Sequence, residues 1–361
     1  MAGNKNLSSA ARAKKDEFYT QIEDIERELR HEDYRKFFRG KIILCNCDDP
    51  YESDFFKYFA MNFNALELKK LIATCYSGSP ISGNELVLPG MEEFYSRPRN
   101  EIAYKVEISE LKDWNGDGRE DLLDVKQFIQ GHPEIITPLK GNGDFRSAEC
   151  IEILKQADVV VTNPPFSLFR EYVAQLMKYE KKFVVLGNKN AITYKEIFKL
   201  FVENKMFVGY TPMSKEIYFH VPQKYIDAGL AANKDRSIVK VHGEYVARSQ
   251  AIWYTNIPLK KLQEEIFLVF NYSPEKYPRY DNYDAIEVSK TAEIPCDYFG
   301  VMGVPITFLD KYNPNQFEIL GCTYVYGDCG CHVAGTSWGA KINGKDIYKR
   351  LFIRRKGGLN G

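Results

Sequence analysis

Residues 157–166 read Ala157-Asp158-Val159-Val160-Val161-Thr162-Asn163-Pro164-Pro165-Phe166. An unbroken β-branched apolar run that ends in Asn-Pro-Pro-aromatic predicts a strand buried on both faces and stopped by a stiff turn. Each proline fixes φ and removes a backbone donor, so the turn is rigid and its carbonyls are expected to point outward. The Asn side-chain oxygen and a proline carbonyl would then converge as two acceptors, which suits an amino group with two N–H donors. Phe166 could stack on the ring that carries it. The plainer alternative is a strand-to-helix turn with Asn as a cap.

Outward from this stretch, strand-like and helix-like patterns alternate. Lys41–Cys45, Lys70–Cys75, Ala103–Ile108, Ile135–Leu139, Asp158–Thr162 and Lys182–Leu186 read as short strands. Phe55, Phe56, Phe59 and Phe63 recur at helical spacing over 52–63. Leu168, Phe169, Tyr172, Val173 and Leu176 line a second helix, and Tyr194, Ile197, Phe198 and Phe201 a third. Such alternation predicts an α/β fold with a mainly parallel sheet, whose ligands sit beyond the carboxyl ends of the strands. After about residue 210 the alternation fades into short β-like runs at 216–221, 237–241 and 250–255, and then a Tyr/Pro/Asp-rich tract. The expected division is a catalytic domain over 1–260, with an insert at 77–141 that begins as a loop rich in Gly, Ser and Pro over 77–101, and a separate region over 261–361.

With 44% hydrophobic and 27% charged residues the chain has ample core, which excludes a mainly disordered or fibrous protein. No run of about 18 apolar residues is present, so no membrane helix is expected. The N-terminal segment lacks the apolar centre of a secretory signal, which points to the cytoplasm. Basic and acidic residues balance at 49 each, so nucleic acid would have to be held by a local basic cleft. Lys181-Lys182, Lys189, Lys260-Lys261, Arg350, Arg354, Arg355 and Lys356 are the clusters available to contact phosphates. The eight cysteines read as reduced thiols.

Three motifs in order resemble those of amino-group methyltransferases that act on adenine N6. They are Asp16-Glu17-Phe18-Tyr19-Thr20, then Gly143-Asp144-Phe145, then Asn163-Pro164-Pro165-Phe166. The segments at 45–59, 141–147, 163–173, 186–198, 280–291 and 300–314 narrow the likeness to the EcoRI-type adenine-specific DNA methyltransferases, over about residues 10–355. The resemblance implies a Rossmann-like class I methyltransferase fold, S-adenosylmethionine as cofactor, and a C-terminal target-recognition region. It implies action on a flipped adenine in double-stranded DNA, as in restriction–modification, and the enzyme is expected to be monomeric. Asn163, Pro164, Pro165 and Phe166 would be catalytic. Phe18, Tyr19, Thr20, Asn46, Asp48, Asp49, Pro50, Asp144 and Phe145 would hold the cofactor. One departure stands out: Cys45-Asn46-Cys47-Asp48-Asp49-Pro50-Tyr51 carries no glycine where the wider superfamily has a glycine-rich loop. The readings that compete are a methyltransferase for RNA or a protein glutamine, or a catalytically dead DNA-binding relative.

Outside these motifs, Asp113-Trp114-Asn115-Gly116-Asp117-Gly118-Arg119 places oxygen ligands at positions 1, 3 and 5 of a calcium loop. Glycine stands at 6 and a backbone carbonyl at 7, with Asp124 at position 12. The spacing suggests a structural calcium ion held by Asp113, Asn115, Asp117, Arg119 and Asp124. An Asx-stabilised surface turn is the alternative.

Overall fold

A computed structural model describes residues 19–47, 53–76, 103–111, 132–221, 238–241, 243–324 and 339–357. Among them the elements begin with β1 (Tyr19–Thr20), α1 (Ile22–Leu29), α2 (Glu32–Phe38), β2 (Ile42–Cys45), α3 (Asp54–Met61) and β3 (Lys70–Thr74). Next come β4 (Tyr104–Ile108), β5 (Ile136–Pro138), α4 (Ala148–Gln156), β6 (Val159–Thr162), α5 (Phe169–Lys178), β7 (Lys182–Asn188) and α6 (Lys195–Val202). Strands then predominate, with β8 (Phe207–Val208), β9 (Ile217–His220), β10 (Ile238–Val241), β11 (Glu244–Ser249) and β12 (Ala251–Thr255). The last are β13 (Ile286–Glu287), β14 (Met302–Pro305), β15 (Phe317–Cys322), β16 (Ala340–Ile342), β17 (Lys345–Ile347) and β18 (Arg350–Arg355). Two compact units result: Met1–Asn188 with Glu216–Trp253, and Lys189–Lys215 with Tyr254–Gly361.

In the first unit the main sheet runs β5-β4-β3-β2-β6-β7-β12. Its centre is parallel: β2 pairs with β3 and β6, and β6 pairs with β7. The expected α/β fold with a mainly parallel sheet is therefore present, with β4 and β5 added antiparallel at one edge. Both of those strands come from the stretch read as an insert. β6 is buried at every position, as its valine run requires of a strand covered on both faces. The Asp158 carboxylate fixes its entry by accepting the Ile42 backbone N–H at 2.8 Å. Two parallel crossovers pass through α3 and α5. Phe55, Phe59, Phe169, Tyr172, Val173 and Leu176 form buried stripes on these helices. Before α4, the Ser147 hydroxyl caps the helix by accepting from Cys150 N at 3.2 Å.

A smaller sheet in the same unit runs β1-β9-β11-β10, all antiparallel. It carries β1, the described part of the Phe18-Tyr19-Thr20 motif, opposite β9 with Thr20 facing Phe219. Helices α1 and α2 were not anticipated from the sequence. Two of the four buried positions of α1 are Asp24 and Glu28, so its buried face does not read as apolar, and α2 buries only Tyr34 and Phe38.

The second unit is built on the sheet β13-β14-β18-β15, with a parallel β13–β14 pair and antiparallel neighbours elsewhere. The last two residues of β12 pair with β8 here. Beside the sheet, β16 and β17 form a hairpin whose Asn343-Gly344 turn has both φ angles positive. The Asp281 carboxylate accepts both turn N–H groups, at 3.1 and 2.7 Å. An ion pair joins the buried Glu287 of β13 to the partly buried Arg350 of β18. The Arg350 guanidinium donates to Glu287 at 2.6–3.0 Å, and the Tyr280 hydroxyl donates to the same carboxylate.

Candidate active site

Because β3, β2 and β6 are neighbours and parallel, the residues that follow them emerge side by side. Cys75 follows β3, Asn46 follows β2, and Asn163 follows β6. The Thr162 hydroxyl, on the last residue of β6, donates to the Asn46 carbonyl and so ties two of these ends together. The Asn163-Pro164-Pro165-Phe166 turn thus stands where the parallel topology places ligand chemistry.

Within the turn, Asn163 and Pro164 are buried and Phe166 is half-buried. The Asn163 side-chain oxygen is buried and accepts no hydrogen bond among the described residues, although the residue has partners of its own. The Pro165 carbonyl accepts from Leu168 N at 2.9 Å, opening a 3-10 turn at Phe166–Leu168 that runs into α5. The expectation of outward, unpaired carbonyls is therefore corrected for Pro165, because the 3-10 turn uses that carbonyl. The Phe166 ring lies 6.1 Å from the Phe219 ring on β9. Since Phe219 faces Thr20 across the β1–β9 pair, the Thr20 strand and the Asn-Pro-Pro-Phe turn share one neighbourhood.

Gly143-Asp144-Phe145 closes a third side. Gly143 has φ +78°, and a Cβ placed on it would lie 1.9 Å from the Cys75 carbonyl oxygen. Only glycine lets this segment sit so tightly on the end of β3. Phe145 packs edge-on against Tyr172 of α5 at 5.0 Å, and its carbonyl accepts from Gln175 Nε2 at 2.9 Å. Asp144 is clamped by Arg146, with Nη2–Oδ2 at 2.7 Å and Nε–Oδ1 at 3.0 Å, and Arg146 also reaches Glu171 at 3.1 Å. The guanidinium holds the Asp144 carboxyl below the ordinary aspartate range, so it stays an ionised acceptor.

Asn46, expected at the cofactor, turns its side-chain oxygen to the Tyr172 hydroxyl at 2.5 Å. Its carbonyl is engaged by Thr162, which leaves the amide nitrogen as the group it can offer. Phe18, Asp48, Asp49 and Pro50 lie outside the described residues, as does the side chain of Tyr19. Asp113, Asn115, Asp117, Arg119 and Asp124, the suggested calcium ligands, also lie outside them. Among the described residues no group of three or more His, Cys, Asp or Glu could hold a metal ion.

Sequence reading missed Tyr172, Thr162, Arg146 and Phe219. Tyr172 was read only as part of an apolar stripe. Its signal was the hydroxyl, because a tyrosine in a fully buried stripe must find a partner there. The basic clusters mostly serve the protein itself. Lys181 donates to the carbonyls of Lys155 and Ala157 at 2.8 Å, Lys261 to that of Gly209, and Lys356 to that of Pro314 at 2.7 Å. Arg355 donates to the Cys296 carbonyl, and Arg350, partly buried, pairs with Glu287.

Comparison with known proteins gives a consistent picture. The family model described as "Adenine-specific methyltransferase EcoRI" matches residues 6–356. The chain is 42% identical over 359 residues to the Type II methyltransferase M.EcoRI of Escherichia coli, covering 98% of each chain. It is 40% identical over 321 residues to the Type II methyltransferase M.MpnI of Mycoplasma pneumoniae, covering 88% of this chain and 85% of the relative. No solved structure matches it.

Proposed function

The chain belongs to the EcoRI family of adenine-specific methyltransferases, and from that premise we propose that it methylates N6 of an adenine flipped out of duplex DNA. The enzyme is a DNA methyltransferase, and its family uses S-adenosylmethionine. The observation that carries the finer reading is the position of the Asn163–Phe166 turn, at the carboxyl end of β6 beside the carboxyl ends of β2 and β3.

The residues present fit the cofactor. Thr20 Oγ1 is buried and accepts or donates no hydrogen bond among the described residues. Gly143 leaves room for the Asp144–Phe145 segment to close on β3. Asp144 supplies an acceptor for an amino group, and Phe145 an aromatic edge. Thr20, Asn46, Asp144 and Phe145 would therefore hold S-adenosylmethionine, with Phe18, Tyr19, Asp48, Asp49 and Pro50 from the adjoining motifs. When bound, it supplies a methyl group made electrophilic by the sulfonium.

The chain's own part is to bind and orient. Extrusion of the base costs a few kcal/mol in lost stacking and pairing. Stacking on Phe166 offsets roughly 1–3 kcal/mol of this. The Asn163 side-chain oxygen and the Pro164 carbonyl accept the two amino hydrogens, which draws the nitrogen lone pair out of the ring. Pro164 and Pro165 keep both acceptors in place, so orientation supplies much of the acceleration. The cysteines have no part as nucleophiles.

We assign target recognition to the region over 261–361, and place the enzyme in the cytoplasm as a monomer on its DNA. No helix among the described residues is long and apolar enough to cross a membrane. The Asp113–Asp124 stretch is proposed to hold a calcium ion, which a thermal melt in calcium against chelator tests on wild type and Asp117→Ala. Expression in a methylation-free host with long-read mapping of modified bases tests the main reading. N6-methyladenine at one recurring sequence is expected, and unmodified adenine throughout would refute it. With a fluorescent base at the target position, Phe166→Ala should lower the extrusion signal, and an unchanged signal removes Phe166 from the stacking role.

A further inference from the structure

The turn after β2 is the place where the wider superfamily uses glycine, yet its left-handed position is a cysteine. Cys47 has φ +81°, a conformation that glycine adopts freely and other residues rarely do. Something must hold it there. Two buried hydroxyls converge on this turn. The Thr162 hydroxyl takes the Asn46 carbonyl, and the Tyr172 hydroxyl donates to Asn46 Oδ1 at 2.5 Å. Tyr172 is fully buried, so its hydroxyl is held on the residue just before Cys47 with no water to compete. The same ring packs edge-on against Phe145 at 5.0 Å, and Gln175, one turn along α5, holds the Phe145 carbonyl. One side chain therefore touches the turn after β2 and the Gly-Asp-Phe segment over β3, and its helix opens directly from the Asn-Pro-Pro-Phe turn.

We propose that Tyr172 is a positioning residue whose hydroxyl, donated to Asn46, holds the residue that precedes Cys47, keeps the glycine-free turn after β2 in the left-handed form and so sets the cofactor-side wall of the site. The proposal rests on reading that wall as the S-adenosylmethionine site. Its geometric half stands without cofactor. Tyr172→Phe keeps the ring against Phe145 and removes only the hydroxyl, which leaves a buried acceptor unmade and the turn unlocked.

The test uses Tyr172→Phe, Cys47→Gly and the double variant of the full chain. Without cofactor, thiol modification followed by peptide mapping reads exposure at Cys47, and Tyr172→Phe should speed its modification severalfold. S-adenosylmethionine affinity by calorimetry should fall about tenfold in Tyr172→Phe, the scale of one buried hydrogen bond lost. DNA affinity should stay within twofold. Cys47→Gly in the Tyr172→Phe background should recover much of the lost affinity, since glycine enters the left-handed turn without strain. A merely structural tyrosine gives no such rescue. An unchanged rate at Cys47 overturns the proposal, and so does an affinity loss that Cys47→Gly fails to recover. Faster modification of Cys47 together with a wild type that binds no S-adenosylmethionine would instead uphold the lock and overturn the assignment of the site.

Discussion

Gly143→Ala is the sharpest single perturbation of the candidate site. The added Cβ would lie 1.9 Å from the Cys75 carbonyl oxygen and 3.0 Å from Ala103 Cβ. Ordinary contact is about 3.5 Å, so the segment must retreat from the end of β3 by roughly 1.5 Å. It cannot retreat freely, because Phe145 is held by the Tyr172 ring and by Gln175 Nε2. The left-handed φ of +78° adds roughly 1–2 kcal/mol of strain for alanine. We expect a stability loss of about 2 kcal/mol or more, because strain and overpacking add. The displaced Asp144 and Phe145 should weaken S-adenosylmethionine binding at least about tenfold, or about 1.4 kcal/mol. Calorimetric titration reads the affinity and chemical denaturation the stability. Gly141→Ala, two residues away in the same loop, is the control, since its added Cβ meets nothing within 4 Å and its φ is not left-handed. If Gly143→Ala binds within twofold of wild type, or Gly141→Ala loses as much, the role of this glycine in shaping the pocket is refuted.

Asn163→Ala should cut methyl transfer by more than about tenfold, a barrier increase above 1.4 kcal/mol, while cofactor affinity holds. Turnover assays and calorimetry on one preparation check both. In the second unit, Arg350→Met leaves the Glu287 carboxylate buried without its cation and should cost about 3–5 kcal/mol, and adding Glu287→Gln should recover part of that in denaturation midpoints. Burial pushes the Tyr58 hydroxyl from its ordinary 10.0 up to about 12. The raised value means its contribution is whole below pH 10 and lost as pH rises towards 12, because the unfolded chain ionises first. Stability should fall across that window and fall less in Tyr58→Phe, as urea midpoints at its two ends would report.

The sequence by itself determined the elements whose signal is local. A valine run must be a buried strand, two prolines must stop it, and a phenylalanine repeat at helical spacing must face a core. Hence β2, β3, β6, β7 and the helices α3 and α5 were legible, as was the turn at Asn163. The motifs over 18–20, 143–145 and 163–166 were legible as fragments in order, but not as one place. Tertiary structure alone decided what met what. Gly143 is required by the Cys75 carbonyl, a neighbour through the sheet that no local pattern announces. Tyr172 looked like one more apolar position until its hydroxyl was found on Asn46. Arg350 looked like a phosphate contact in a basic tail, yet it is partly buried and paired with the buried Glu287 from another strand. Periodicity encodes which face of an element is apolar. It does not encode which distant carbonyl or carboxylate that face will meet, because that depends on strand order and chain closure.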